Sequence, residues 1–452
     1  MAGWRGNGDG EFKGARAPTR WTADEGVRWS AAISGRTNAT PLVVAGRVFT
    51  MEEPGWLVAF DAQTGKELWR RAHEVVDFLP PEEAARLRPT LAEATGKEEQ
   101  LEALRKQIGH LKQLVRRGAP EGRAAAKTAL AGIEAVANEL RKSLDGLEPY
   151  RNSAARGVVG YTSPTPVSDG TRIYTLISNG VVAAYSMEGK LEWGRWLGVH
   201  RTEMEGFHSG QAASLRLVDG LLIVPYADLL ALDPGTGRQR WSAKAYSHFA
   251  APAPMHLGGH WLLVMPDGQV RRADDGKELR RPQKSMYFVS PVASGDRLYY
   301  AATSPTGPGG ANVASFRAER LRFEGPAALT SELIWERTVP DATEIYAHAL
   351  ITDGLMYVVS QGAFRALDAA TGETVYQVDI PVTRDRVLAS PMATATAIYV
   401  VGADGRTVVI ARGREYREIA VNPLGDECWS TPVVADGHIY IRTFEHLWCI
   451  GP

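Results

Sequence analysis

The 452-residue chain holds only two cysteines, Cys428 and Cys449. They fall at opposite ends of strands expected to run in the same direction, so no bond between them is expected. Neither belongs to a CxxC or CxxCH motif, which argues against structural zinc and covalently attached haem. An excess of charge is missing too: Lys plus Arg number 51 and Asp plus Glu 52. That balance gives no general attraction to nucleic acid or to an anionic membrane. No apolar run approaches the ~20 residues of a membrane-spanning helix. The first residues, MAGWRGNGDG, contain no apolar signal core. A secreted chain whose signal had been removed would look the same, so this silence is no argument for the cytoplasm.

The length exceeds one ordinary core, which points to a repeat or a barrel-like array. Repetition is what the chain contains. AFDAQTGKELW (Ala59–Trp69), ALDPGTGRQRW (Ala231–Trp241) and ALDAATGETVY (Ala366–Tyr376) answer one another, with weaker copies at Ala184–Trp193 and Arg272–Arg280. Each joins an apolar strand to a second strand through a tight turn. The Asp caps the turn backbone, the Gly supplies positive φ, and the closing aromatic can dock flat on a neighbouring sheet.

Ahead of these lie eight strand–turn–strand segments, of which TPVVADGHIYIR is typical. Their turn glycines at Gly220, Gly258 and Gly295 stand 38 and 37 residues apart (258 − 220 and 295 − 258). Four strands repeated about every 40 residues predict a β-propeller of eight four-stranded antiparallel blades. The last segment offers only three strands, Ser430–Ala435, His438–Arg442 and His446–Ile450, and so leaves an open edge. EGVRWSAAI (Glu25–Ile33) has the pattern of a fourth strand with no three before it. It is predicted to close the eighth blade, with Trp29 in the place that Trp69 has in blade 1.

These stretches resemble the pyrroloquinoline-quinone-type repeat, Ala-x-Asp-x-x-x-Gly-x-x-x-Trp, over nearly the whole chain except residues 73–157. The resemblance implies the eight-bladed fold. The family holds quinone-dependent alcohol dehydrogenases and also the cofactor-free propeller lipoprotein of the outer-membrane assembly machine, so fold alone does not choose a chemistry. The dehydrogenases stack their quinone on adjacent cysteines beside calcium. This chain has no adjacent cysteines, and no Asp/Tyr/Asn/Glu set that matches the calcium and base residues. The resemblance therefore implies the fold without pyrroloquinoline quinone.

In such a ring, the connections leading into each innermost strand gather on one face, here called the top. These connections carry Arg36, Asn38, Glu205, His208, His248, Tyr287, Glu344, Tyr346, His348, Arg386, Glu427 and Trp429, the candidate ligand-binding residues. His208, His248 and His348 with nearby carboxylates could hold a divalent Zn, Mn or Fe. The bland alternative is that they satisfy loop backbone or sit wet at the rim. Aromatics among them suit a saccharide-like or peptide-like ligand. SPTGPGGAN (304–312) lacks the lysine and following helix of a phosphate loop. NGDGEFKG (7–14) lacks the downstream Glu and flanking helices of an EF-hand.

Residues 73–157 break the repeat. Leu101, Leu104, Ile108, Leu111 and Val115 share one helical face, and Leu130, Ile133, Ala137, Leu140, Leu144 and Leu147 another. This predicts an antiparallel helical hairpin, preceded by a short separate helix near Pro81–Leu87 and standing on the top face. The expected division is a tail at 1–24, the closing strand and blade 1 at 25–72, the hairpin at 73–157 and blades 2 to 8 at 158–452. The expected function is a monomeric, non-catalytic propeller of the bacterial periplasm or secreted fraction, binding a protein partner or a small ligand at its top face. The alternative is an enzyme with its site in the same funnel.

Overall fold

The computed structural model describes residues 3–117, 119–145, 147, 160–198, 211–245, 249–283, 288–304, 313–324, 328–339, 345–360, 363–382 and 387–452. It contains eight four-stranded antiparallel sheets. Blade 1 is Leu42–Val44, Arg47–Glu52, Trp56–Asp61 and Glu67–Ala72. Blades 2 to 7 repeat this order, beginning at Val167, Arg216, Ala253, Val292, Leu350 and Met392. Blade 8 joins the two ends of the chain. Val27–Ala32 lies antiparallel to His446–Ile450, pairing Trp29 with Cys449 and Ala32 with His446. The predicted closure is therefore the observed one.

The core is divided into seams. Each of eight buried clusters draws residues from two neighbouring blades, as Phe49 and Met51 of blade 1 meet Ile173 and Tyr185 of blade 2. Strand alternation sends each sheet's two faces into two different seams, so a middle strand such as Leu355–Ser360 is buried at every position. Outer strands read polar, as Glu67–Ala72 does, because they have solvent beside them.

The repeat's tryptophans work between blades. Trp69 donates its indole N–H to the Met187 carbonyl of blade 2 at 3.0 Å. Trp193, Trp241 and Trp335 do the same to Pro234, Ala273 and Ala369 at 2.8, 3.0 and 3.1 Å. Trp29 closes the ring by donating to Ala62 of blade 1 at 3.0 Å. Each indole lies on the turn glycine of the next blade, where a Cβ would fall 2.4–2.6 Å from ring carbon. The turn thus needs Gly twice, for its left-handed φ and to leave room for the neighbour's ring.

The blade 4–5 seam is built differently. Arg280 stands at the corresponding outer strand and pairs with Glu319 of blade 5 at 2.7 Å, the two side chains being 8% and 2% exposed. Burial opposes ionisation of Glu319, but Arg280, the Tyr300 hydroxyl and Arg317 together outweigh it and hold the carboxyl below its ordinary range.

Between blades 1 and 2, helix α1 (Pro81–Arg117) and helix α2 (Pro120–Lys142) form the inserted hairpin. The separate short helix expected near Pro81–Leu87 is instead the first two turns of α1. Pro89 forfeits one backbone bond, but Ala84, Leu87, Ala94 and Leu101 continue a single buried face past it.

The N-terminal segment enters the central channel. Phe12 donates its N–H to Ala393 at 2.8 Å, Ala393 donates to Gly10 at 2.9 Å, and Ala395 donates to Ala15 at 2.8 Å. Residues 10–15 so run parallel to the inner strand of blade 7, which is only Met392–Ala393. Glu11 is held there by Arg412 at 3.0 Å, and Arg412 also pairs with Asp353 at 2.6 Å.

Candidate functional site

The top mouth is assembled from short connections that the rigid inner strands hold in place. Arg36, leading into blade 1, lies over two rings of blade 8: its Cζ is 6.0 Å from the Trp429 centroid and 5.4 Å from Phe444. Trp429 and Phe444 meet edge to face at 5.0 Å. The cluster is only half-buried, with Arg36 exposed, so an aromatic and cationic surface faces outward. A second cluster serves blades 4 to 6: Phe249 meets Phe288 at 5.3 Å, and Phe288 meets Tyr346 at 4.9 Å.

Of the candidates from sequence, Arg36 and Trp429 therefore come together, and Tyr346 joins a different group. Asn38 is half-buried, and its Oδ1 has no hydrogen-bond partner among the described residues. Glu427 is exposed, and its carbonyl accepts the Phe444 N–H at 2.8 Å. Glu205, His208, His248, Tyr287, Glu344 and Arg386 lie outside the described residues.

His348 is described, and it faces into the channel. Its Nε2 accepts the Ser290 backbone N–H at 2.8 Å, and its ring meets Trp4 at 4.4 Å. Burial, with Arg5 and Arg216 nearby, drives its pKa well below the ordinary range. The imidazole is neutral at pH 7, with the proton on Nδ1. Its Nε2 lone pair is committed to the amide and is not offered to an ion in this arrangement.

Three further sites were not singled out from sequence. His73 sits at the root of the hairpin, fully enclosed, with Nδ1 2.9 Å from the Gly55 carbonyl and Nε2 2.9 Å from Thr175 Oγ1. Burial lowers its pKa to about 4. It borders a cleft of about 540 Å³ between α1 and blades 1 and 2, where Trp56, Tyr161 and Asn179 face Arg88, Leu91 and Glu99. Glu53 anchors the Tyr161 wall, its carboxylate accepting the Tyr161 and Thr162 N–H groups at 2.8 and 3.0 Å. The third group, on blade 8, is Asp426, Glu445 and His446, with ligand atoms within 4.8 Å of one another. This donor set could hold a divalent cation. An Asp426–His446 contact at 3.3 Å and a Glu445 N–H bond to Asp426 at 3.0 Å already account for its geometry. Sequence gave these residues no spacing signal, because each depends on partners from another blade or turn.

The cysteines bear on the quinone chemistry of similar propellers. Cys428 and Cys449 are free and buried, one in the seam between blades 7 and 8 and the other between blades 8 and 1. Burial pushes both thiols up to about 11. They do not fit a platform on which a quinone could stack.

The family described as outer membrane protein assembly factor BamB matches residues 19–195, 178–319 and 325–451. The chain belongs to this family. Among solved structures, BamB from Moraxella catarrhalis is similar at 12% identity and a TM-score of 0.53, over 92% of this chain and 96% of that one. The computationally designed protein Ika8 is similar at 11% identity and a TM-score of 0.50, over 93% of this chain and 98% of that one. A europium-containing methanol dehydrogenase follows at 11% and 0.46, over 83% and 73%. At such identities BamB and Ika8 speak for the propeller fold alone. No curated protein matches by sequence. No helix among the described residues is long and apolar enough to cross a membrane.

Proposed function

We propose that this chain is a protein-binding scaffold of the bacterial envelope, and that the hairpin and the top mouth form its docking surface. The observation that carries the reading is an apolar groove across the two helices. Ala103 and Leu104 of α1 and Ala135, Val136 and Leu140 of α2 line a depression of about 690 Å³ flanked by Gln100 and Glu139. Val136 is 57% exposed there, and Leu114 on the same hairpin is 40% exposed. A two-helix ornament that only packed on itself would turn such residues inward, as it does Leu101, Ala137 and Leu144.

Membership of a family named for outer-membrane protein assembly supports a protein as the partner and the envelope as its place. A partner helix would seat its apolar face in the groove, and the mouth offers its aromatic clusters besides. These add rigid contact area of the kind that anchors interfaces.

The test is site-specific photo-crosslinking from position 136 in cells of the source organism, with Ala135→Glu as a control. The expected result is a discrete protein adduct that the control abolishes. Absence of any adduct, together with unchanged partner capture after replacing residues 79–159 by a short linker, would refute the reading.

A further inference from the structure

The channel offers a second site, away from the hairpin. Residues Gly3–Asp9 leave a cavity of about 280 Å³, walled by the inner strands of blades 2 to 5 and by His348 of blade 6. Trp261, 38% exposed, stands at its rim.

Arg216 lines this cavity and is 5% exposed. It donates Nε to the Pro252 carbonyl at 3.2 Å and Nη1 to the Trp4 carbonyl at 3.4 Å. Both acceptors are uncharged, and no carboxylate pairs with it among the described residues. Beside it Arg5 is 1% exposed. Its Nη2 donates to the Ala349 and Pro391 carbonyls at 2.9 and 3.2 Å, while Nε and Nη1 have no acceptor.

Asp9 lines the same cavity and acts by its charge on Arg5. Its carboxylate already accepts from the Asn7 side-chain amide at 3.0 Å and from the Glu11 N–H at 2.8 Å. Trp4 lies against both cations, 5.0 Å from Arg216 Cζ and 5.4 Å from Arg5 Cζ. A ring quadrupole softens a cation but supplies no counter-charge. Burial pulls Arg216 down to about 10 and Arg5 to about 9, so both remain charged at neutral pH.

A buried, unpaired guanidinium facing a cavity is costly unless an anion meets it. We propose that the cavity binds a small oxyanion, a phosphate or the carboxylate of a short organic acid. The planar fork of Arg216 would grip it, and the Nδ1–H of His348 would offer a further donor. An apolar occupant would leave the charge unmet.

The test is titration calorimetry of the full chain in a chloride buffer, with inorganic phosphate in one arm and succinate in the other. Saturable single-site binding of at least one probe is expected, and the stronger arm identifies which oxyanion the site prefers. Arg216→Gln should weaken that binding at least ten-fold, and Arg216→Lys should weaken it several-fold while keeping the charge. If the glutamine variant fails to fold, the lysine variant carries the test. No saturable heat with either probe, or an affinity unchanged in the variants, overturns the proposal. The hairpin crosslink is independent of this result.

Discussion

The seam between blades 8 and 1 allows a quantitative test through a pair of substitutions. Trp29 is 8% exposed, donates one hydrogen bond to Ala62, and covers Gly65, whose φ is +70°. Trp29→Ala should cost about 3–5 kcal/mol, the range for truncating a buried large aromatic. Gly65→Ala should cost about 1–2 kcal/mol for the left-handed backbone. It should cost about 1–3 kcal/mol more because the new methyl would lie 2.6 Å from the indole. In the double variant the indole is gone, and the methyl falls into the space it leaves. The clash term then vanishes, so the two effects should fall short of their sum by about 1–3 kcal/mol. Urea midpoints and slopes of the four proteins would give the cycle. If the effects add within about 0.5 kcal/mol, Gly65 serves its own turn only, and the docking explanation of the repeat is wrong.

Glu319→Gln leaves Arg280 buried without its counter-ion and should destabilise by about 3–5 kcal/mol, measured by denaturant unfolding at pH 7. Because the folded pKa of Glu319 is depressed, its contribution is present above the unfolded value near 4.5 and is lost as pH falls through the lower folded value, so the variant's penalty should shrink in acid. His73 is held at about 4 against an ordinary 6.5, so the unfolded chain takes up a proton that the folded one refuses. Its stabilising share should be complete above about 6.5 and fall by up to about 3 kcal/mol on going to pH 4, a slope that His73→Asn should flatten in a pH series of unfolding curves. Arg412→Ala removes the ion pairs that fasten Glu11 and Asp353 and should expose residues 3–18 to limited proteolysis while the ring stays protected. Unchanged cleavage there would mean that the backbone pairing with Ala393 and Ala395 suffices alone.

The ring was legible in the sequence because its information is local and repeated. An Asp, a Gly and a Trp at fixed offsets specify a capped turn, a left-handed residue and a docking ring, so the seams docked by Trp29, Trp69, Trp193 and Trp241 could be read from short strings, whereas Trp335 stands in a strand without the motif. Closure followed from counting strands, since Val27–Ala32 had the pattern of an outer strand and no partners ahead of it. Blade 5 was harder, because Val313–Phe323 and Leu329–Val339 lack the turn motif and an Arg–Glu pair spans its seam with blade 4. The place of residues 3–15 left no signal at all. That segment has no hydrophobic period, and Arg5 is fixed by carbonyls 344 and 386 residues away. His348 illustrates the same limit. It lies just ahead of the inner strand Leu350–Thr352, but nothing local indicated that a Ser290 N–H would occupy its Nε2.

Eight apolar seams, five of them with a Trp docked on the next blade's Gly, make the ring stable but give no blade a distinct task, so specialisation has to come from what breaks the pattern. The hairpin does so between blades 1 and 2, and it adds an apolar groove without disturbing a ladder, because Ala72 and Val167 still bound complete sheets. The N-terminal segment does so at blade 7, where the inner strand is two residues long and accepts a parallel neighbour. The two departures act in different places, one raised on the top face and one along the axis. A buried cation is tolerated on the axis because it lies in the channel, outside the apolar seams, where an unmet charge would oppose the burial that holds adjacent blades together. On the two proposals made above, the scaffold separates a stability function, carried by Trp and Gly at the seams, from recognition, carried by residues that no repeat dictates.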